Sequence, residues 1–195
     1  FDLVLLGMLL APAIVLIPLL ASNVPTFGIW KQILALYIAT IIMIVVFMEM
    51  ATPAFVEQFD ARPNVLFFEY IGHPKELLGT LWGAYRWQLL AGVPIVLAVG
   101  YAMQRLVIHM MHTATPMPLI VALPLTVLLL LTSVALARST LDHRPVNPST
   151  VALTNDSLVN DLALNSTYSV AYAAYELRHE EDGGARYGNM SDALA

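Results

Sequence analysis

Six side chains in this apolar chain could do chemistry: Glu49, Glu57, Arg62, Glu69, His109 and His112. Glu49 closes a long apolar run, and an acid at that depth can mark an ion or proton path, the feature a small multi-pass transporter or channel subunit would use. A single acid at a helix end does not make a relay. His109 and His112 stand at i, i+3, close enough to share a metal on a helix. No third ligand type accompanies them on that stretch, so they read as interfacial histidines.

Arg62 carries a guanidinium fork that can bind a phosphate bidentately. It lies with Glu57 and Glu69 among Phe55, Phe59, Phe67, Phe68 and Tyr70, and aromatic rings favour headgroup depth. Glu57, Arg62 and Glu69 are therefore the candidates for contact with a lipid headgroup or substrate. The plainer alternative is an amphipathic connector whose charges are solvated. No nucleophile stands with a base and an orienting group, no glycine-rich phosphate loop is present, and no pair of His is joined by an acid. With no cysteine, thiol catalysis, disulfides and a Cys-ligated metal are excluded. A net charge of −5 argues against nucleic acid as a partner.

The elements that must position these residues are set by four stretches without Asp, Glu, Lys or Arg: Leu3–Leu20, Gln32–Met48, Trp87–Gln104 and Leu106–Ala137, strongest from Pro118. Each is about as long as the roughly 20 residues a helix needs to cross a bilayer. With 58% apolar and 12% charged residues and a mean hydropathy of +0.72, too few polar side chains remain to clothe a soluble globule. The fold expected is all-α: a polytopic membrane bundle of four transmembrane helices with interfacial helices and a C-terminal juxtamembrane helix. Its helices are expected at Leu3–Ala21, Ile29–Met50, Arg86–Met110 and Pro118–Ala137. Turns at Ser22–Gly28 and Met111–Met117 and a polar segment at Ala51–Tyr85 join them. Pro12 and Pro18 should kink the first helix, which then needs a neighbour to satisfy its freed carbonyls.

Residues 1–137 thus form a transmembrane unit that includes the interfacial segment 51–85, residues 138–182 a juxtamembrane region, and residues 183–195 a glycine-bearing linker. Asn147-Pro148 reads as a helix start, Asn as cap and Pro at the first helical position. Leu164, Tyr168, Tyr172 and Tyr175 line one helical face, for packing on the membrane or a following domain, or for stacking on carbohydrate. Asn155-Asp156-Ser157, Asn165-Ser166-Thr167 and Asn189-Met190-Ser191 match the permissive glycosylation pattern. Phe1-Asp2 enters the apolar run with neither an initiator Met nor a basic flank, and the chain is expected to be a piece of a longer protein.

Arg138-Ser-Thr-Leu-Asp-His-Arg-Pro-Val-Asn-Pro-Ser and Leu158-Val-Asn-Asp-Leu-Ala-Leu-Asn-Ser-Thr-Tyr-Ser resemble the junction after the last membrane helix of lipoteichoic-acid-synthase-like proteins. These are the sulfatase-related phosphoglycerol transferases, and the likeness is to their proteobacterial members. Glu57-Gln-Phe-Asp-Ala-Arg-Pro-Asn, Phe67-Phe-Glu-Tyr70 and Pro74-Lys-Glu76 are similar to that family's polar segment, and Phe1-Asp2-Leu3 to the start of its second membrane helix.

The resemblance implies five membrane helices carrying an extracytoplasmic alkaline-phosphatase-like domain. There a Thr nucleophile and a divalent metal, typically manganese, transfer phosphoglycerol from phosphatidylglycerol. None of those catalytic or metal residues maps onto Phe1–Ala195, so this chain alone is expected to be inactive. The expected partners are membrane phospholipid and the chain's own C-terminal catalytic domain. The expected location is the bacterial inner membrane, with Ala51–Tyr85 and the tail from Arg138 outside the cytoplasm. Taken literally, the Lys and Arg count puts Ala51–Tyr85 in the cytoplasm; the expectation follows the family topology instead.

Overall fold

The computed structural model describes residues 1–141, 143 and 145–186, and all regular structure among them is helical. Helix α1 is Asp2–Val15, α2 Val24–Phe59, α3 Val65–Gly72, α4 Pro74–Ala84, α5 Arg86–Met110 and α6 Leu119–Arg138. A 3₁₀ turn at Pro148–Val151 and a short α7, Ser157–Asp161, lead to α8, Ser166–Arg186. Three helices, α2, α5 and α6, are long and apolar enough to cross a membrane.

The first apolar stretch departs from the expected single helix. Helix α1 has 14 residues, and beyond Leu16 the chain continues as a π-helical turn, Ile17–Ala21, that holds Pro18. Proline lacks the N–H the helix ladder requires, so the chain re-registers around it. Side-chain donors reach three carbonyls of this stretch, two of them from neighbouring helices. Tyr37 Oη donates to the Leu9 carbonyl, Ser133 Oγ to the Gly7 carbonyl and Ser22 Oγ to the Pro18 carbonyl.

The second helix corrects the expected break at Ala51. Helix α2 runs 36 residues through Pro53, a length of about 54 Å at 1.5 Å per residue. Its last two to three turns carry Phe55, Glu57 and Phe59 beyond the apolar run as a continuation of the helix. The expected bounds of α5 hold, those of α6 shift by one residue, and α2 starts at Val24 rather than Ile29. The expected linker from Gly183 begins inside α8, and residues 187–195, with the Asn189 triplet, lie outside the described residues.

The long helices pack as two pairs, α1 along α6 and α2 along α5, with α1 and α2 meeting over a shorter stretch. Gly7 lets α1 approach α6 closely: a Cβ there would strike the Ala137 nitrogen, the Ser133 carbonyl and the Leu136 side chain. Toward the other end α1 and α2 part around an apolar cavity of about 60 Å³, lined by Pro12, Ala13, Leu16, Trp30, Leu34 and Tyr37 among others. That end, the turn end, is closed by the Met117 N–H on the Ala21 carbonyl at 3.3 Å and by Lys31 Nζ on the Met111 carbonyl at 3.2 Å. At the opposite end, the platform end, α8 packs on α1, α2 and α3.

Candidate functional site

The corner after α2 is written in Asp60-Ala61-Arg62-Pro63-Asn64. Asp60 takes the left-handed conformation, φ 51°, and stops the helix with its N–H on the Val56 carbonyl at 2.9 Å. Asp tolerates that conformation better than most residues. Pro63 is fully buried and biases Arg62 toward extended backbone, while the Asn64 side chain accepts the Leu66 N–H at 3.0 Å and starts α3. The ring of Phe59 lies 5.4 Å from that of Tyr70, which holds α3 beside the end of α2. The reversal brings Arg62 back onto α2 and toward the start of α8.

There Arg62 Nη1 donates to Ser166 Oγ at 2.9 Å and lies 3.5 Å from Glu49 Oε1, while Nη2 reaches the Leu162 carbonyl at 3.3 Å. Thr52 Oγ1 is 2.6 Å from Ser166 Oγ and 2.7 Å from the Met48 carbonyl. Only one direction satisfies every hydroxyl: Arg62 donates to Ser166, Ser166 to Thr52, and Thr52 to the carbonyl. Such a chain of aligned donors strengthens each link. Ser166 has no exposed surface, and the Arg62 side chain keeps 13% of its own. Arg62 Nε is buried without a hydrogen-bond partner among the described residues.

Helix α8 starts inside this cluster. Asn165 Oδ1 accepts the Thr167 N–H at 2.9 Å and the Tyr168 N–H at 3.4 Å, a helix cap. The Ser166 N–H goes to Glu49 Oε1 at 3.0 Å, so a carboxylate sits where the helix dipole favours one. Asn165 Nδ2 donates to Asp2 Oδ1 at 2.9 Å, tying in the start of α1. Below, Val4, Leu5 and Tyr168 form an apolar core with Phe1, Leu9, Val146 and Tyr172 packed on it; the Phe1 and Tyr168 rings are 4.8 Å apart. Tyr168 Oη donates to the Val146 carbonyl at 3.3 Å. Burial raises the Tyr168 and Tyr172 phenols above their ordinary range. Burial also pushes the Asp161 carboxyl up, partly offset by the Arg62 guanidinium and by a hydrogen bond from the Arg62 backbone.

Of the three headgroup candidates, the structure places Arg62 alone in this junction. Glu57 and Glu69 are exposed and form no ion pair among the described residues. The Arg62 fork faces protein rather than an incoming phosphate. Glu49 is bound to Arg62 and to the head of α8, which gives its charge a structural use. His109 and His112 are both exposed at the end of α5, and no group of three His, Cys, Asp or Glu close enough to hold a metal occurs among the described residues. The tyrosine stripe serves packing on α1, with Tyr168 buried and Tyr175 left 56% exposed against His179.

Sequence reasoning missed Thr52, Asp161, Asn165 and Ser166. A signal was present: Asn165-Ser166-Thr167 ahead of an apolar stripe is a helix-start pattern, overshadowed by the glycosylation motif it also satisfies. Asn147 does cap its turn, its side chain accepting the Ser149 N–H at 3.0 Å, but one 3₁₀ turn follows rather than a helix.

No family model matches the sequence, and no solved structure matches the fold.

Proposed function

We propose that this chain is the membrane domain of a bacterial phosphoglycerol transferase of the lipoteichoic-acid-synthase-like, sulfatase-related kind. It would anchor an extracytoplasmic catalytic domain that draws on phosphatidylglycerol to modify envelope polymers or glycans. One observation carries this reading: the residues that resemble the family junction, Arg138–Ser149 and Leu158–Ser169, supply Val146, Leu162, Asn165, Ser166 and Tyr168 to the platform. A junction built this way hands the chain onward from a fixed position over the bilayer, as an anchored enzyme acting on a lipid requires.

In this reading α1 and its π turn make a fourth span beside α2, α5 and α6. Helices α3 and α4 lie at the interface of the outer leaflet of the inner membrane, exposing Ile71, Leu78 and Trp82 to lipid. Arg62 acts as a positioning residue for α8, not as a headgroup ligand. The divalent metal and the nucleophile belong to the catalytic domain, and membrane phospholipid and that domain are the partners.

The gene beyond Ala195 tests this reading. A sulfatase-like domain with a Thr nucleophile and metal-binding acids supports it; a stop codon or further membrane helices overturns it. The full-length protein with phosphatidylglycerol and manganese should release diacylglycerol, and residues 1–195 alone should release none. Sidedness is tested on a chain that has no cysteine of its own. Cysteines placed at the exposed positions Gln58 and Ser149 should both react with an impermeant thiol reagent on intact cells, and one at Thr113 should not. Labelling at Thr113 alone would invert the assignment.

A further inference from the structure

The turn end carries cations without acids. No Asp or Glu occurs from Leu3 to Met48 or from Trp87 to Leu141, so every residue that forms this end comes from acid-free sequence. Arg105 and His109 stand at i, i+4 on α5 and therefore share a face. His112 follows one turn later, its N–H on the His109 carbonyl at 3.1 Å. All three side chains are exposed, and Arg105 forms no ion pair among the described residues. Lys31 joins them from α2: its Nζ sits on the Met111 carbonyl at 3.2 Å and 4.8 Å from the Phe27 ring centroid. On α5 itself, the apolar side chains Leu106, Ile108 and Met110 are exposed beside these groups.

We infer that this end is a binding surface for anionic phospholipid headgroups of the leaflet it faces, with Arg105, His109, His112 and Lys31 as the contacts. Charge complementarity selects the occupant. Arg105 lies more than a turn below the end of α5, beside the exposed apolar side chains Leu106 and Ile108. From there a long side chain reaches the phosphate level, as such residues do in membranes. A zwitterionic headgroup would bring its own ammonium to a surface that has no carboxylate for it. An anionic headgroup presents phosphate oxygens to a guanidinium, two imidazoles and an ammonium that holds a single backbone carbonyl, and no carboxylate at this end competes for them. The surface lies at the other end from the platform, so it holds a different lipid population from any donor. It requires a bilayer and no transferase activity.

Trp30, next to Lys31 and stacked on Phe27 at 5.8 Å, reports on this end, whereas Trp82 and Trp87 stand at the other. The chain carrying Trp82→Phe and Trp87→Phe is placed in phosphatidylcholine vesicles with a minor share of phosphatidylglycerol, bromine being on the acyl chains of one lipid or the other. Molecule for molecule, brominated phosphatidylglycerol should quench Trp30 more strongly. Arg105→Gln with His109→Gln, both exposed and outside the packing, should lower that preference roughly fivefold for the Arg charge lost. Adding Lys31→Gln should lower it by a similar factor, and Arg86→Gln at the platform end should leave it unchanged. Equal quenching by the two lipids would overturn the inference. So would a preference that survives Arg105→Gln with His109→Gln, or one abolished by Arg86→Gln.

Discussion

At the platform end, Arg62 is held between Glu49, Ser166 and the Leu162 carbonyl, with Asp161 close by, and little of its charge faces outward. At the turn end, Lys31 borrows a backbone carbonyl and Arg105 stands exposed with no acid in reach among the described residues. The helices differ in the same sense. Gly7 brings α1 against α6 below the platform, whereas α1 and α2 separate around a cavity toward the turns. The contrast separates two uses of a cation at a membrane face. Where acids and hydroxyls are supplied by several elements, the cation fixes those elements to one another. Where none is supplied, it remains available to the surroundings.

The largest effect should come from substitutions that test this difference in packing. Gly7→Leu forces a side chain into the α6 backbone and should destabilise the bundle by about 3 kcal/mol, the upper range for overpacking. Ala13→Val, which lines the cavity at the loose end, should change stability by less than about 1 kcal/mol. Thermal unfolding of the two variants in detergent compares them directly. Similar losses for both would erase the distinction between a tight and a loose end.

Next in size, Arg62→Ala should free the head of α8. It removes the ion pair with Glu49 and two further hydrogen bonds and leaves Ser166 buried without its donor. The expected cost is about 1.5–3 kcal/mol, the range for hydrogen bonds to charged groups, held below that of a fully buried pair because Glu49 is 42% exposed. Amide exchange across residues 164–170 should accelerate while exchange in α5 stays unchanged. Arg105→Ala, the matching substitution at the turn end, should leave both rates as they were. If the chain anchors a phosphoglycerol transferase as proposed, Arg62→Ala in the full-length protein should also lower use of the lipid donor, through the loosened junction, whereas Arg86→Ala should not.

The smallest effect concerns Asp161. Its carboxyl titrates above the ordinary carboxylate range in the folded chain, so the fold binds that proton more tightly than the unfolded chain does. Linkage then gives the sign: charged Asp161 lowers stability at neutral pH, and stability recovers as pH falls from the raised value through the ordinary carboxylate range. Asp161→Asn should flatten this part of the stability profile and leave neutral-pH stability equal or slightly higher. It keeps an oxygen for the Arg62 backbone N–H. A marked loss of stability at neutral pH would mean that attraction to Arg62 outweighs burial.

Much of the architecture was legible because the membrane imposes a simple rule: a helix in lipid must satisfy its own backbone and show apolar side chains outward. The bounds of α5, the turn at Met111–Met117 and the placement of α6 were legible from apolar length together with the start of the strongest apolar half at Pro118. The end of α2 did not. Ala51–Phe59 mixes aromatic and charged residues as an interfacial segment does, and Pro53 suggests a stop. Yet the helix continues, because its extension packs Thr52 under Ser166 and brings Phe59 to α3. The candidate site was half legible. Arg62 stood out by type and company, but apart from nearby Glu49 its partners lie 100 and 104 residues along the chain and are an ordinary carbonyl and an ordinary hydroxyl.

The sequence by itself determined a helical chain with membrane-spanning lengths, of which it read four and three stand as long apolar helices, two acid-free regions, and an aromatic stripe on the last helix. Those properties are local, set by composition and by the helical period. Only the tertiary structure decided what the polar residues do. A guanidinium can hold a phosphate, a carboxylate or a carbonyl with similar geometry, and the choice depends on which acceptors the fold brings within about 3 Å. For Arg62 the fold brought Glu49, Ser166 and Leu162, and for Arg105 it brought none among the described residues.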